Sequence, residues 1–261
     1  MPSLALAQSV LTSNASSLRA NWYRNSAEQQ LTAQCMKRRG YVYPIPDAGP
    51  VPGLNTITQF ALGRGYPPTY GVTQESLITA PPSDPEASQS GYELALEGPA
   101  ASLRKLNFPG VFTVTYETGG CQGSARSQLY GSVDVYMLSA YLPQILENLF
   151  EKFLSRDQAY LSALRTWRAC LRADKFTVAD PNAAAHSLLQ IAHQTSEADL
   201  MRRQTALATA DANCDAPSQL RLRTNQALGE FVGSLSRPTL TQLNEIALSQ
   251  AKASQMAARY T

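Results

Sequence analysis

Apolar positions recur every three or four residues through most of the chain, the spacing of helices that bury one face. Between about residues 14 and 39, Leu18, Trp22, Leu31, Cys35 and Met36 follow it, and Gly40 supplies a stop. This predicts one helix with a cysteine in its last turn. After Cys121 the helical pattern runs nearly to the C-terminus, with Leu146, Leu149, Phe150, Phe153, Leu161, Leu164, Trp167 and Leu171 marking one apolar stripe. Prolines punctuate it. Pro143 starts a new helix or kinks a long one, and Asp180-Pro181 reads as a cap followed by proline in the first turn. A further break is expected near Cys214 to Pro217, and Arg237-Pro238-Thr239 sets off the last helix.

Two stretches depart from this period. Tyr41 to Pro85 holds nine prolines and five glycines, which block regular helix and predict an irregular excursion with a short helix near Leu54 to Leu62. Tyr41, Tyr43, Phe60, Tyr66 and Tyr70 are threaded through it, too many rings for a free linker, so the excursion is expected to wrap the helical body. Asp84-Pro85-Glu86 then looks like a helix start leading through Tyr92, Leu94 and Leu96 to Gly98. Phe112 to Tyr116 alternates in the strand period and predicts a short β-hairpin. The expected fold is mostly α: a single antiparallel helical bundle over residues 14–261 with a Pro/Tyr-rich irregular insertion at 41–85, one short hairpin and two disulfides. Residues 1–13 are expected to be a disordered N-terminus or the remnant of a signal peptide, because Met1 to Gln8 ends in an A-x-A shape without a charged leader.

Composition narrows the partners. The 261 residues carry 22 basic and 20 acidic side chains, a net charge of +2, which provides no general field for nucleic acid or anionic lipid. The densest basic run, Lys37-Arg38-Arg39, reads as a solvated last helical turn favoured by the helix dipole. No apolar run is long enough to make a transmembrane segment.

Four cysteines carry the strongest structural signal. Cys35-Met36-Lys37 leads to Gly40-Tyr41, and Cys170-Leu171-Arg172 leads to Lys175-Phe176: a cysteine, a large apolar residue, a base, spacers and an aromatic ring. Cys121 and Cys214 are each followed by a polar run ending in Ser-Gln-Leu. The pattern predicts that each first cysteine ends a helix, each second begins one, and the pairs are Cys35–Cys121 and Cys170–Cys214. Closing loops of this length is worth about 4 to 5 kcal/mol in the chain-entropy model. Zinc and free thiols are the competing readings; the intervals of 86, 49 and 44 residues, without a C-x-x-C, argue against zinc. The even count points to an oxidising compartment.

The chemistry is sparse. His186 and His193 lie seven apart on one predicted helix, about 10 Å along its axis, and depart from the i, i+4 spacing of metalloproteases. There is no G-x-S-x-G elbow, P-loop or dinucleotide fingerprint. Gly119-Gly120-Cys121-Gln122-Gly123-Ser124 superficially invites a thiol-enzyme reading, but glycines there suit a turn into a helix beside a disulfide. Glu147/Glu151 and Glu197/Asp199 look like solvated carboxylates, and Ser155 to Gln158 like a capping box. Neither a catalytic set, a metal site nor a cofactor is expected. Tyr41, Tyr43, Tyr66 and Tyr70 form the candidate binding surface, with sealing of the bundle as the alternative role for these rings.

Gln34-Cys35-Met36 with Gly40-Tyr41-Val42-Tyr43, Gly91 to Gly98, Gly120-Cys121, Trp167-Arg168-Ala169-Cys170, Asp180-Pro181 and Ala208 to Cys214 together carry a resemblance. The chain resembles a group of secreted or lipid-anchored actinobacterial proteins of unknown function, over about residues 28 to 235, with Lys175 where a glycine would match. The resemblance implies a secreted or extracytoplasmic helical protein, sometimes lying beside envelope transport components, and no known reaction. The expected function is a non-enzymatic interaction protein engaging a protein partner in the cell envelope or at the cell surface. The alternatives are a secreted hydrolase acting on wall glycan or peptide, and a structural subunit of a surface assembly.

Overall fold

The computed structural model describes residues 2–12, 15–45, 90–192 and 194–260. The expected helix near Leu54 to Leu62, the helix start at Asp84-Pro85-Glu86, most of the 41–85 insertion, Tyr66, Tyr70 and His193 lie outside the described residues.

Helices dominate, as the apolar periodicity requires. In chain order they are α1 (Leu4–Val10), α2 (Ala15–Arg38), α3 (Ser90–Leu96), α4 (Gly120–Tyr130), α5 (Val133–Leu154), α6 (Gln158–Ala173), α7 (Pro181–Ala192), α8 (Glu197–Ser218), α9 (Leu220–Ser234) and α10 (Arg237–Ala257). Between α3 and α4 sits an antiparallel hairpin, β1 (Leu103–Phe108) with β2 (Phe112–Glu117), in register from Leu103↔Glu117 to Phe108↔Phe112. Short polar side chains start the helices by taking up free amides: Ser132 accepts from Val135 at 3.1 Å, Asp180 from Ala183 at 2.7 Å, and Ser236 from Thr239 at 3.3 Å. For α6 the cap is Asp157, which accepts from Ala159 and Tyr160. The expected capping box at Ser155 to Gln158 is thereby corrected, since the Ser155 hydroxyl donates back to the Lys152 carbonyl.

The main core lies where α5, α9 and α10 meet: Leu138, Leu142 and Leu146 pack against Phe231, Val232, Leu243 and Ile246, and Phe108 of the hairpin closes one side. A second core surrounds Trp167, with Leu164 and Leu171 of α6, Ala210 and Cys214 of α8, and Leu220 of α9. The first residues of the chain join the main core. Ala7 is fully buried in it, Val10 and Leu11 pack alongside at helical spacing, and Asn244 clasps the Ser3 backbone through two hydrogen bonds of 2.7 and 3.0 Å. Within residues 1–13, expected to be a disordered N-terminus or the remnant of a signal peptide, residues 4–10 form α1, which sets Ala7 against α9 and α10.

Both expected disulfides are present, Cys35–Cys121 and Cys170–Cys214. Each first cysteine ends its helix with the same turn. Tyr41 donates its amide to the Met36 carbonyl at 3.0 Å and Phe176 to Leu171 at 2.9 Å, and the residue before each ring, Gly40 (φ 87°) or Lys175 (φ 67°), is left-handed. The second cysteines differ. Cys121 lies in the first turn of α4, as expected, but Cys214 lies near the end of α8, which runs through Pro217 to a left-handed Gln219 (φ 55°). The break expected near Cys214 to Pro217 falls at Gln219, two residues past the proline, whose missing N–H leaves the last turn of α8 one bond short. Pro143 likewise sits inside a continuous α5.

Candidate functional site

The four cysteines are all in disulfides, so the Gly119 to Ser124 segment holds no free thiol. Gly98, Gly119 and Gly120 are required by close packing instead: a Cβ on Gly120 would fall 2.3 Å from the Leu96 carbonyl oxygen. Tyr43 is buried, and its hydroxyl donates to Gln29 at 2.7 Å. Tyr41 is half-buried and meets Tyr92 edge-on, ring centroids 5.6 Å apart. The structure thus brings Tyr41 and Tyr43 together against α2 and α3.

Tyr43 borders a buried polar cluster that no sequence pattern announced. From the Cys35–Cys121 bond, α2 and α4 run away antiparallel, and one to two turns along them Arg126 donates through Nε to Glu28 at 2.8 Å. The Glu28 side chain is 7% exposed and that of Arg126 22%. The guanidinium also lies 4.5 Å over the Tyr136 ring. Arg24, one turn before Glu28, donates to Ser254 at 2.7 Å and to Asn21, tying α2 to α10. Burial opposes the Arg126 charge, but Glu28 together with Tyr136 and Tyr43 more than offsets it and holds the guanidinium more firmly protonated than usual. Burial, followed by the charges of Tyr92 and Glu28, pushes the Tyr43 hydroxyl up to about 12; burial and then Glu28 do the same to Tyr136. The tyrosines stay neutral and seal the ion pair from water.

The acid pairs on helix faces are spread out. Glu147 is raised by burial and then by Glu151, which accepts from Asn182 at 3.2 Å. Asp199 is lowered by the Ser196 hydroxyl and then by Arg202. Among the described residues no three His, Cys, Asp or Glu side chains gather as metal ligands would.

An apolar concavity lies between the ends of α5 and α9. An open groove of about 740 Å³ is lined by Leu149, Lys152, Phe153, Arg156 and Asp157 on one side and Glu230, Phe231 and Ser234 on the other. Its floor is hydrocarbon. Phe153 lies 5.8 Å from Phe231, Phe150 closes the trio behind at 5.4 Å from Phe231, and Leu149 is 43% exposed. Charge is confined to the rim, with Lys152 on α5, Arg156 and the α6 cap Asp157 in the turn after it, and Glu230 along α9; among the described residues Lys152, Arg156 and Glu230 are held by no ion pair or side-chain hydrogen bond. A second groove of about 610 Å³, between Tyr130 to Val135 and α10, is also lined mainly by hydrocarbon, with Val135 and the exposed Leu248 in its walls, but holds no comparable group of phenylalanine rings.

The first groove can grip an apolar side chain and read charge at its edges, an arrangement for binding. Leu149 and Phe153 were expected in the apolar stripe, but Leu149 faces out and Glu230 and Phe231 gave no separate signal. The available hint is that residues 149, 150 and 153 make the α5 stripe wider than one neighbouring helix covers. Compared with protein-family models, curated proteins and solved structures, the chain matches none.

Proposed function

We propose that the protein is an extracytoplasmic interaction protein that docks a protein partner of the cell envelope or cell surface in the groove between α5 and α9. The observation that carries the reading is the groove itself: an aromatic and aliphatic floor with a charged, unpaired rim, which is how a protein interface is laid out before it is occupied. The two disulfides fit an oxidising compartment, and among the described residues no helix is long and apolar enough to cross a membrane. A rigid, cross-linked body presenting a preformed groove keeps the ordering cost of binding low.

Site-specific photocrosslinking tests it. A photoreactive residue at position 149, in protein on intact cell envelopes, is expected to capture one protein in high yield. The same residue at Leu222, which is 51% exposed and outside the groove, is the control and is expected to capture none. Equal capture at both positions, or none at either, overturns the reading.

A further inference from the structure

We infer that the occupant of the α5/α9 groove is an amphipathic helix whose apolar stripe is flanked by acidic residues on one side and basic residues on the other. This rests on the reading of the groove as a protein-docking site and adds the chemistry of the partner.

The walls decide the backbone type. Both banks are the last turns of helices, whose amides are bonded internally and whose end carbonyls are taken by turn amides and by the Ser155 and Ser234 hydroxyls, so an extended peptide finds no strand edge to pair with. The floor rings are phenylalanines, which carry no donor for the bare carbonyls of a polyproline helix. A helix satisfies its own backbone and offers only side chains, which is what this groove can read. From Leu149 to Leu154 α5 rises about 7.5 Å, and the turn that follows carries Arg156 beyond it, so this bank faces roughly two turns of a ligand helix. Two apolar side chains one turn apart suffice to cover Leu149 and Phe153.

The rim decides the charge. Lys152 and Arg156 stand on one bank, where Asp157 is engaged as the cap of α6, and Glu230 stands on the other, so the first bank is net positive and the second negative. A helix with acids beside α5 and bases beside α9 pairs with both banks. A helix acidic on both flanks is repelled by Glu230, and one basic on both flanks is repelled by Lys152 and Arg156. Turning a helix end for end exchanges its flanks, so the asymmetry also fixes the direction in which the partner lies.

Three synthetic helical peptides of about sixteen residues, roughly four turns, test this on the oxidised full-length protein. All carry the same leucine stripe; one has Glu on one flank and Lys on the other, one has Glu on both, and one has Lys on both. The mixed peptide is expected to bind about tenfold more tightly than either uniform one at low salt, with the difference shrinking as salt is added. In the K152E/R156E variant, where both banks are acidic, preference is expected to pass to the all-Lys peptide. Equal affinity for the three, or none, overturns the inference; a preference for a proline-rich control peptide does so too. Self-association that is lost in the L149E variant would make a second copy the occupant, and it also overturns the inference. Position-149 crosslinking with no discrimination among the peptides leaves the docking site standing and removes only the charge-ordered helix.

Discussion

Removing the Arg126 charge is expected to cost more than removing the whole Glu28–Arg126 pair. Arg126→Met keeps most of the side-chain stem but leaves the Glu28 carboxylate 7% exposed and without its cation. Arg24 cannot readily replace it, because its guanidinium already serves Ser254 and Asn21. Breaking a buried pair from one side costs about 3 to 5 kcal/mol, and the cation–π contact with Tyr136 adds about 0.5 to 1. Arg126 is 22% exposed, so water enters the vacated space and the lower end, about 3 kcal/mol, is expected. The double variant E28M/R126M removes both charges and leaves a mainly apolar interface between α2 and α4. It is expected to lie within about 1 kcal/mol of the parent. Urea denaturation followed by far-ultraviolet circular dichroism, with unchanged m-values, gives all four corners of the cycle. Single-variant losses that simply add in the double variant, within about 0.5 kcal/mol, would refute the claim that these two charges depend on each other.

Three further outcomes follow from local geometry. Lys175→Gly, at a left-handed position, is expected to raise stability by about 0.5 kcal/mol in thermal melts, because relief of the side-chain clash exceeds the added chain entropy; Gly40→Ala at the matching turn is expected to lower it by about 1 kcal/mol. Gln204 is 2% exposed and neither end of its amide is hydrogen-bonded, so Gln204→Leu is expected to stabilise by about 1 kcal/mol; a clear loss in urea titration would show that the amide is satisfied in solution. Tyr43 and Tyr136 bind their protons more tightly folded than unfolded, so their contribution is intact below pH 10 and is lost as pH rises from 10 through about 12. Each is expected to steepen alkaline unfolding by up to about 1.4 kcal/mol per pH unit, and Y43F to remove its share of that slope.

The features legible in the sequence were those whose cause is local. Asp180-Pro181 caps α7 because both residues act within one turn, and the hairpin follows from alternation in Phe112 to Tyr116. The disulfide pairing was readable because Met36 and Leu171, each fully buried one residue after its cysteine, fix similar turns. What failed depended on direction or on distant partners. Trp167 and Asp211 each precede their cysteine by three residues and share a 2.6 Å hydrogen bond, so α6 and α8 run parallel, whereas α2 and α4 meet end to start and run antiparallel. Similar flanking residues therefore conceal opposite helix polarity. The Arg126–Glu28 pair joins positions 98 apart, and the α5/α9 groove depends on Phe231 lying beside Phe153. No periodicity carries that information.

The two covalent closures also set how the chain bears load. They join positions 86 and 44 residues apart, and the loops neither overlap nor nest. Pulled at its ends, the oxidised chain passes force across each sulfur bridge, and about half of its 261 residues lie off the load path. Each residue so shielded withholds about 3.5 Å of extension. Held between a surface and a partner, such a chain would pay out only about half its contour length before the tension reached covalent bonds. Reduction would release the rest, turning a short tether into a long one.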